Sequence, residues 1–286
     1  MNSIKISELT NDKFIIKMFE LILIEINKIN KTNKKTKRVY KITYSNEYYL
    51  IMIYYMLNNV NQWSFLKELK LYKLTFANHY KTIYNKFRLW TSLNVFKNAF
   101  ENYKQNLITT NLLLIDATSI NNKYGSENIV INVEYKKKKI TKLSLLTNPN
   151  GFIKSIIPFD IKTIMPSYST SEHDVKMIKK NLINVKNGNN NKGNYYILLA
   201  DKAYKTQEKF TLNDKPIKII TPSKKNAIKK NNKKENKKLK KRTMVENVNM
   251  EIKKYERILV RKDRKLKYFM AFVHIVSLIN NIKLTI

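Results

Sequence analysis

The sequence predicts an α/β domain with a mixed sheet, preceded by an all-α segment. Three observations predict it. Residues 11–105 carry apolar and aromatic residues at three- and four-residue intervals, and nothing there reads as strand. Leu112–Ala117 (LLLIDA) and Tyr195–Ala200 (YYILLA) are short apolar runs that end on or beside an acid, as buried central strands do. Residues 140–147 and 152–159 flank Asn148-Pro149-Asn150-Gly151, a strong turn signal, so they form a β-hairpin.

The elements follow in order. Residues 11–29 form an amphipathic helix, and the basic stretch 30–38 (NKTNKKTKR) is a loop or a DNA-facing arm. Residues 46–103 form several helices. After the strand at 112–117, residues 129–135 alternate as a strand, and the hairpin follows. Ser169-Thr170-Ser171 offers an N-cap to a helix from Glu172 to about Asn184. Residues 187–194 are a loop before the strand at 195–200. A short helix at 206–212 and a strand at 217–221 come next. Residues 223–241, almost entirely Lys and Asn, read as a solvated loop. A long helix covers 242–261, and an apolar helix covers 268–282.

Composition limits the function. The chain has 286 residues, 43% of them hydrophobic, enough for a buried core. Its 56 basic and 21 acidic side chains give a formal charge of +35. A field of that size calls for a polyanionic partner, with nucleic acid ahead of an anionic membrane surface. An AT-rich coding sequence accounts for part of the lysine excess. There are no cysteines, so disulfides, thiolate zinc sites and cysteine nucleophiles are excluded. His79, His173 and His274 lack the spacing of a zinc site. No secretory signal is visible at the start, and the longest apolar run, near Tyr49–Leu57, is too short to span a bilayer. The expectation is a soluble, intracellular protein.

Asp116 and Asp201 each follow an apolar strand, at the sheet edge where α/β proteins bind ligands. A single such Asp is more often a helix cap or a turn former. Two of them, in a chain so poor in acids, point instead to a close carboxylate pair that a divalent cation would neutralise. Glu246 is a third acid, on the last long helix. Arg242, Glu246 and Lys253 are four and seven residues apart and share one face. Three carboxylates suit two hard cations about 3.5–4 Å apart, the arrangement that serves phosphodiester hydrolysis and transesterification. Nearby Arg and Lys would grip the DNA backbone.

Over roughly residues 45–280 the sequence resembles the DDE transposases of bacterial insertion sequences, of the four/five type. The first acid lies in LLLIDATSI. A basic strand–turn–strand unit follows, KKKKITKLSLLTNPNGFIKSIIPF. His173-Asp174 matches a His-Asp pair common in that group, and LLADKAY carries the second acid with Tyr204. The third motif is Tyr, two residues, Arg, three, Glu, six, Lys or Arg. Arg242, Glu246 and Lys253 fit it, whereas Leu239 stands at the Tyr position and Ala203 at the Gly of the second motif. NEYYLIMIYYMLNNVNQWSFLKEL and HYKTIYNKFRLWTSLNVF are similar to the helical DNA-binding region that precedes the catalytic domain in this group.

The resemblance implies a helical DNA-binding domain over 1–105 and a ribonuclease H-like catalytic domain over 106–286. It implies catalysis and metal binding by Asp116, Asp201 and Glu246 with two Mg²⁺ ions, Mn²⁺ substituting. Arg242, Lys253, Lys202 and Lys142 are the expected DNA contacts. The partners are double-stranded DNA, as transposon ends and target, and a second copy of the chain. A nuclease of the same fold and a repurposed DNA-binding protein are the competing classes. Trp63, Trp90 and the N-terminal tyrosines are expected in the core, and His274 packed within the last helix.

Overall fold

The structure is a computed structural model. It describes residues 12–32, 44–59, 62–67, 70–71, 74–75, 80–105, 107, 110–132, 138–160, 170–185, 194–223, 226 and 230–286. The expected strand residues 133–135, the basic residues 33–38, the cap at Ser169 and most of the loop at 187–194 lie outside the described residues.

The N-terminal part is helical: α1 (Lys13–Thr32), α2 (Asn46–Asn58), α3 (Tyr80–Ser92) and α4 (Val95–Gln105). Ser45 caps α2, accepting from the Tyr48 backbone N–H. A 3-10 turn at Trp63–Lys67 follows α2. One expectation fails here. Lys70–Leu71 (β1) and Leu74–Thr75 (β2) pair antiparallel as a two-stranded ribbon. Strands of two residues are too short for alternation to show in a sequence.

Among the described residues eight strands form the main sheet: β3 (Leu112–Asn122), β4 (Val130–Asn132), β5 (Lys138–Thr147), β6 (Ile153–Pro158), β7 (Tyr196–Leu199), β8 (Phe210–Leu212), β9 (Lys215–Ile220) and β10 (Val260–Arg261). β5 and β6 are the expected hairpin. Asn148 Oδ1 accepts from the N–H groups of Asn150 and Phe152, and Gly151 takes the left-handed conformation the turn requires, φ +86°. β5 pairs antiparallel with β3, while β3, β7 and β9 are mutually parallel. The order β6-β5-β3-β7-β9, with the first of these strands in the middle, is the expected ribonuclease H-like arrangement.

Helices cover both faces. Leu114, Leu199, Leu143 and Leu145 face a core shared with α7 (Thr243–Lys253), α9 (Leu266–Lys283) and the N-terminal helices. Their neighbours Leu113, Ile115, Leu198 and Leu146 face the opposite core, under α5 (Thr170–Ile183). That split is the period-two alternation of strands. α9 packs on α1, α3, α4 and α7, so one apolar core joins the N-terminal helices to the sheet. Each large apolar side chain buried there contributes about 1.5–3 kcal/mol. Asn281 on α9 pins the edge strand β6: it accepts from Ile153 N and donates to Ile153 O, at 2.7 and 3.0 Å. Such cover protects an edge from pairing with another chain.

Four further expectations are corrected. The strand at 112–117 continues to Asn122, because β5 pairs with it as far as Asn121 and β10 joins it at Asn121–Asn122. The helix expected at 206–212 is instead β8. Asn213 and Asp214, both at positive φ, turn the chain directly into β9, as a tight hairpin demands. The Lys/Asn stretch holds a helix, α6 (Lys233–Leu239), started by a capping box between Asn232 and Glu235. Glu235 also pairs with Lys218 at 2.9 Å. Finally, the helix expected over 242–261 stops at Lys253. Tyr255 is extended, α8 (Glu256–Leu259) is one turn, and β10 follows. Leaving the helix lets Arg257 and Arg261 reach the partners that justify their burial.

Candidate active site

Strand register sets the two aspartates side by side. Leu114 pairs with Leu199 on parallel neighbours. Asp116 and Asp201 each lie two residues further on, at the same height. By alternation Asp116 faces the side of Leu114, which α7 covers, and Asp201, just past the end of β7, is close enough to act on the Asp116 carboxyl. Asp116 is not at a strand end, as expected, but inside β3 opposite Leu145 of β5. Asp201 lies two residues past the end of β7. Its Oδ1 accepts from Lys202 N at 2.6 Å and caps a 3-10 turn, Lys202–Tyr204.

The helix α7 brings the third acid. Arg242 Nη1 donates to Asp116 Oδ1 at 3.4 Å, and Nη2 donates to Glu246 Oε1 at 2.5 Å. One guanidinium therefore bridges an acid of the sheet and an acid of the helix. Asn249, three residues beyond Glu246 on the same face, donates to Asp116 Oδ2 at 3.0 Å. Burial raises the pKa of Asp116. Arg242 and the Ala117 N–H oppose the rise, while Glu246 and Asp201 add to it. The three carboxylates thus share one electrostatic neighbourhood. Lys253 lies close enough to feel Asp116, and burial outweighs that attraction to lower its pKa.

The other expected residues are spread. Lys202 is exposed beside Asp201. Lys142 points to the opposite face of the sheet, paired with the buried Asp174 of α5 at 2.7 Å and lying over the Phe159 ring. The side chain of His173 and the whole of His79 lie outside the described residues. Tyr204 is buried behind the aspartates; burial first, then Asp174 and Asp116, raise its pKa. His274 of α9 packs on Phe100 of α4, and burial pushes its pKa down to about 3. Leu239, at the Tyr position of the third motif, ends α6 and packs partly against the core.

Sequence reasoning missed Asn249. Its signal was available: it lies three residues from Glu246 and four from Lys253, on the face they share. The type of residue, a neutral amide, gave no reason to look.

Among the described residues no three acids or histidines converge closely enough to hold a metal ion together. The Arg242 guanidinium stands between Asp116 and Glu246 and pairs with both. The donor chemistry nevertheless fits a hard divalent cation. Carboxylate oxygens from two strands and a helix share one neighbourhood, and two of them already bind a single positive group. Withdrawal of Arg242 would free them.

Residues 115–281, more than half of the chain, match the family model described as DDE superfamily endonuclease. The chain belongs to that family. DDE superfamily endonucleases generally use divalent metal ions. Among solved structures the chain is similar to a piggyBac transposase in a synaptic complex with hairpin DNA. The identity is 10% and the TM-score 0.40, over 74% of this chain and 49% of that one. The chain therefore spans about half the length of that transposase. No curated protein matches it. No described helix of this DDE family member is long and apolar enough to cross a membrane.

Proposed function

We propose that this chain is a DNA transposase of the bacterial insertion-sequence four/five type, which cuts transposon ends and joins them to target DNA. The observation that carries the reading is the level register of Asp116 and Asp201, with Glu246 across one guanidinium from Asp116. Asp116, Asp201 and Glu246 would hold the cations, two Mg²⁺ or Mn²⁺. When bound, these would supply activation of the attacking water or 3′-hydroxyl and stabilisation of the leaving oxygen. Asn249 orients the Asp116 carboxylate by donating to its Oδ2. Arg242 would turn from the acids to a DNA phosphate, with Lys253 and Lys202 beside it. Lys142 would meet DNA only by leaving Asp174.

The remaining parts of the reading are that 1–105 positions DNA and 106–286 cuts it, that two copies act on paired ends, and that the protein works on intracellular DNA. A charge of +35 supports tight, salt-dependent DNA binding. A repurposed DNA-binding descendant is the second reading. It is favoured by Leu239 and by Arg242 filling the space between two acids.

The test is cleavage and strand transfer on a plasmid carrying the gene's own flanking DNA, with Mg²⁺ or Mn²⁺, for wild type and Asp201→Asn. Metal-dependent cutting and joining in the wild type alone is expected. Cutting without joining would leave a nuclease. DNA binding without chemistry in either protein would favour the descendant.

A further inference from the structure

A second feature lies away from the acids. Arg261 of β10 pairs with Asn122, six residues along β3 from Asp116, a distance of about 20 Å along an extended strand. Just beyond it, between α3, the 3-10 turn at Trp63 and the start of α9, is a cavity of about 640 Å³. That is a size typical of small-ligand sites.

Its lining combines two chemistries. Trp63, Tyr84, Tyr124 and Tyr268 contribute aromatic rings. Tyr124 is half exposed, and the buried indole N–H of Trp63 has no acceptor among the described residues. Arg88, Lys262, Arg264 and Lys265 bring positive charge to the same cavity. Arg88, Arg264 and Lys265 are exposed, and Arg88 donates to the Tyr268 hydroxyl at 3.0 Å. Among the described residues that line it the one acid, Asp263, is buried and held by two hydrogen bonds from Arg257 at 3.1 Å. It is neutralised where it stands.

The backbone that presents these cations is fixed. Arg261 is fully buried and donates to the carbonyls of Asp263, Arg264 and Glu127. Burial, with Lys123 close by, lowers the pKa of Lys262. A bound anion would relieve that crowding of like charges. Trp63 and Tyr84 pack on each other, 5.2 Å between centroids, with Arg257 over the Trp63 ring, so the exposed ring is that of Tyr124. An exposed ring beside a cluster of cations matches a base joined to a phosphate. An acidic peptide would use the cations and leave the rings idle.

We propose that this cavity is a second nucleic-acid site, which takes one unpaired nucleotide, its base on Tyr124 at the edge of the Trp63–Tyr84 pair and its phosphate toward Arg88 and Arg264. The site does not require the acids to act. The nucleotide comes from one of two sources, a DNA strand or free solution.

The experiment compares binding of the full chain to fluorescein-labelled dT12 and to an abasic 12-mer of equal charge. A dTMP titration runs beside it, followed by tryptophan emission in a Trp90→Phe chain, where Trp63 is the only tryptophan. The expected result is dT12 binding about ten-fold tighter than the abasic strand. Tyr124→Ala should remove most of that difference and leave abasic binding unchanged. Arg264→Glu should weaken both strands. Quenching of Trp63 by dTMP would identify a free nucleotide as a ligand, and dT12 preference without such quenching would identify the strand. Equal affinity for the two strands with no dTMP quenching would overturn the proposal. So would a base preference that survives Tyr124→Ala. Loss of that preference in Asp201→Asn would also overturn it, by moving the base to the acids, whereas a preference kept there stands apart from any result on cleavage.

Discussion

Two arginines meet the same strand, β3, and they are held in opposite ways. Arg261, near the strand's end, is fully buried. It donates to three backbone carbonyls and to Thr141 Oγ1, and its neighbour Arg257 is closed by Asp263. Arg242, near the middle, is held by two carboxylates, one of them half exposed. A charge satisfied by fixed carbonyls in a dry setting has no cheap alternative partner. A charge shared between acids at the surface can be exchanged for another cation or for a phosphate. The first arginine therefore belongs to the architecture, and the second is the one that a ligand can displace.

The largest effect is expected from breaking the buried cluster. Arg261→Leu strands the carbonyls of Glu127 and Asp263 and the Thr141 hydroxyl, and should cost about 3–5 kcal/mol in urea unfolding. A loss below about 1 kcal/mol would erase the contrast. Gly125→Ala tests how tightly that cluster is packed. A Cβ there would stand 2.5 Å from Asn122 Oδ1 and 2.6 Å from Arg261 Nε, so about 1–3 kcal/mol of stability should be lost. An unchanged midpoint would mean that the guanidinium can yield. The smallest stability change is expected from Arg242→Ala, under about 1 kcal/mol, because the pair is partly solvated. That variant should nonetheless bind DNA more weakly, read by fluorescence anisotropy. A large stability loss with unchanged DNA binding would make Arg242 structural as well.

The difference in legibility follows the range of the forces. The hairpin at 148–151 was legible because Asn148 and Gly151 solve a local problem of backbone geometry. The chain from 254 to 261 was not, because Arg257 and Arg261 override local helix propensity with partners distant in sequence, Glu127 and Thr141 among them. The β8–β9 turn carries a local signal of its own, Asn213-Asp214, both at positive φ, against which the helix expected at 206–212 does not stand. The candidate acids were legible as residue types beside apolar runs. Their common height was not, since it depends on which residue of β7 lies opposite Leu114.

By itself the sequence determined the mixed α/β class, the buried apolar helix α9, the turn chemistry and the pattern of acids and bases that resembles the DDE transposases. Those follow from alternation, composition and short-range backbone preferences, which act within a few residues. Tertiary structure alone decided that Asp116 sits inside a long strand, that Arg242 and Asn249 contact it, that Lys142 faces away, and that Trp63 and Tyr124 meet Arg88 and Arg264 at one cavity. Each depends on strand register or on the docking of a helix. Those are set by the packing of distant apolar surfaces, a sum over many residues that no single stretch of sequence contains.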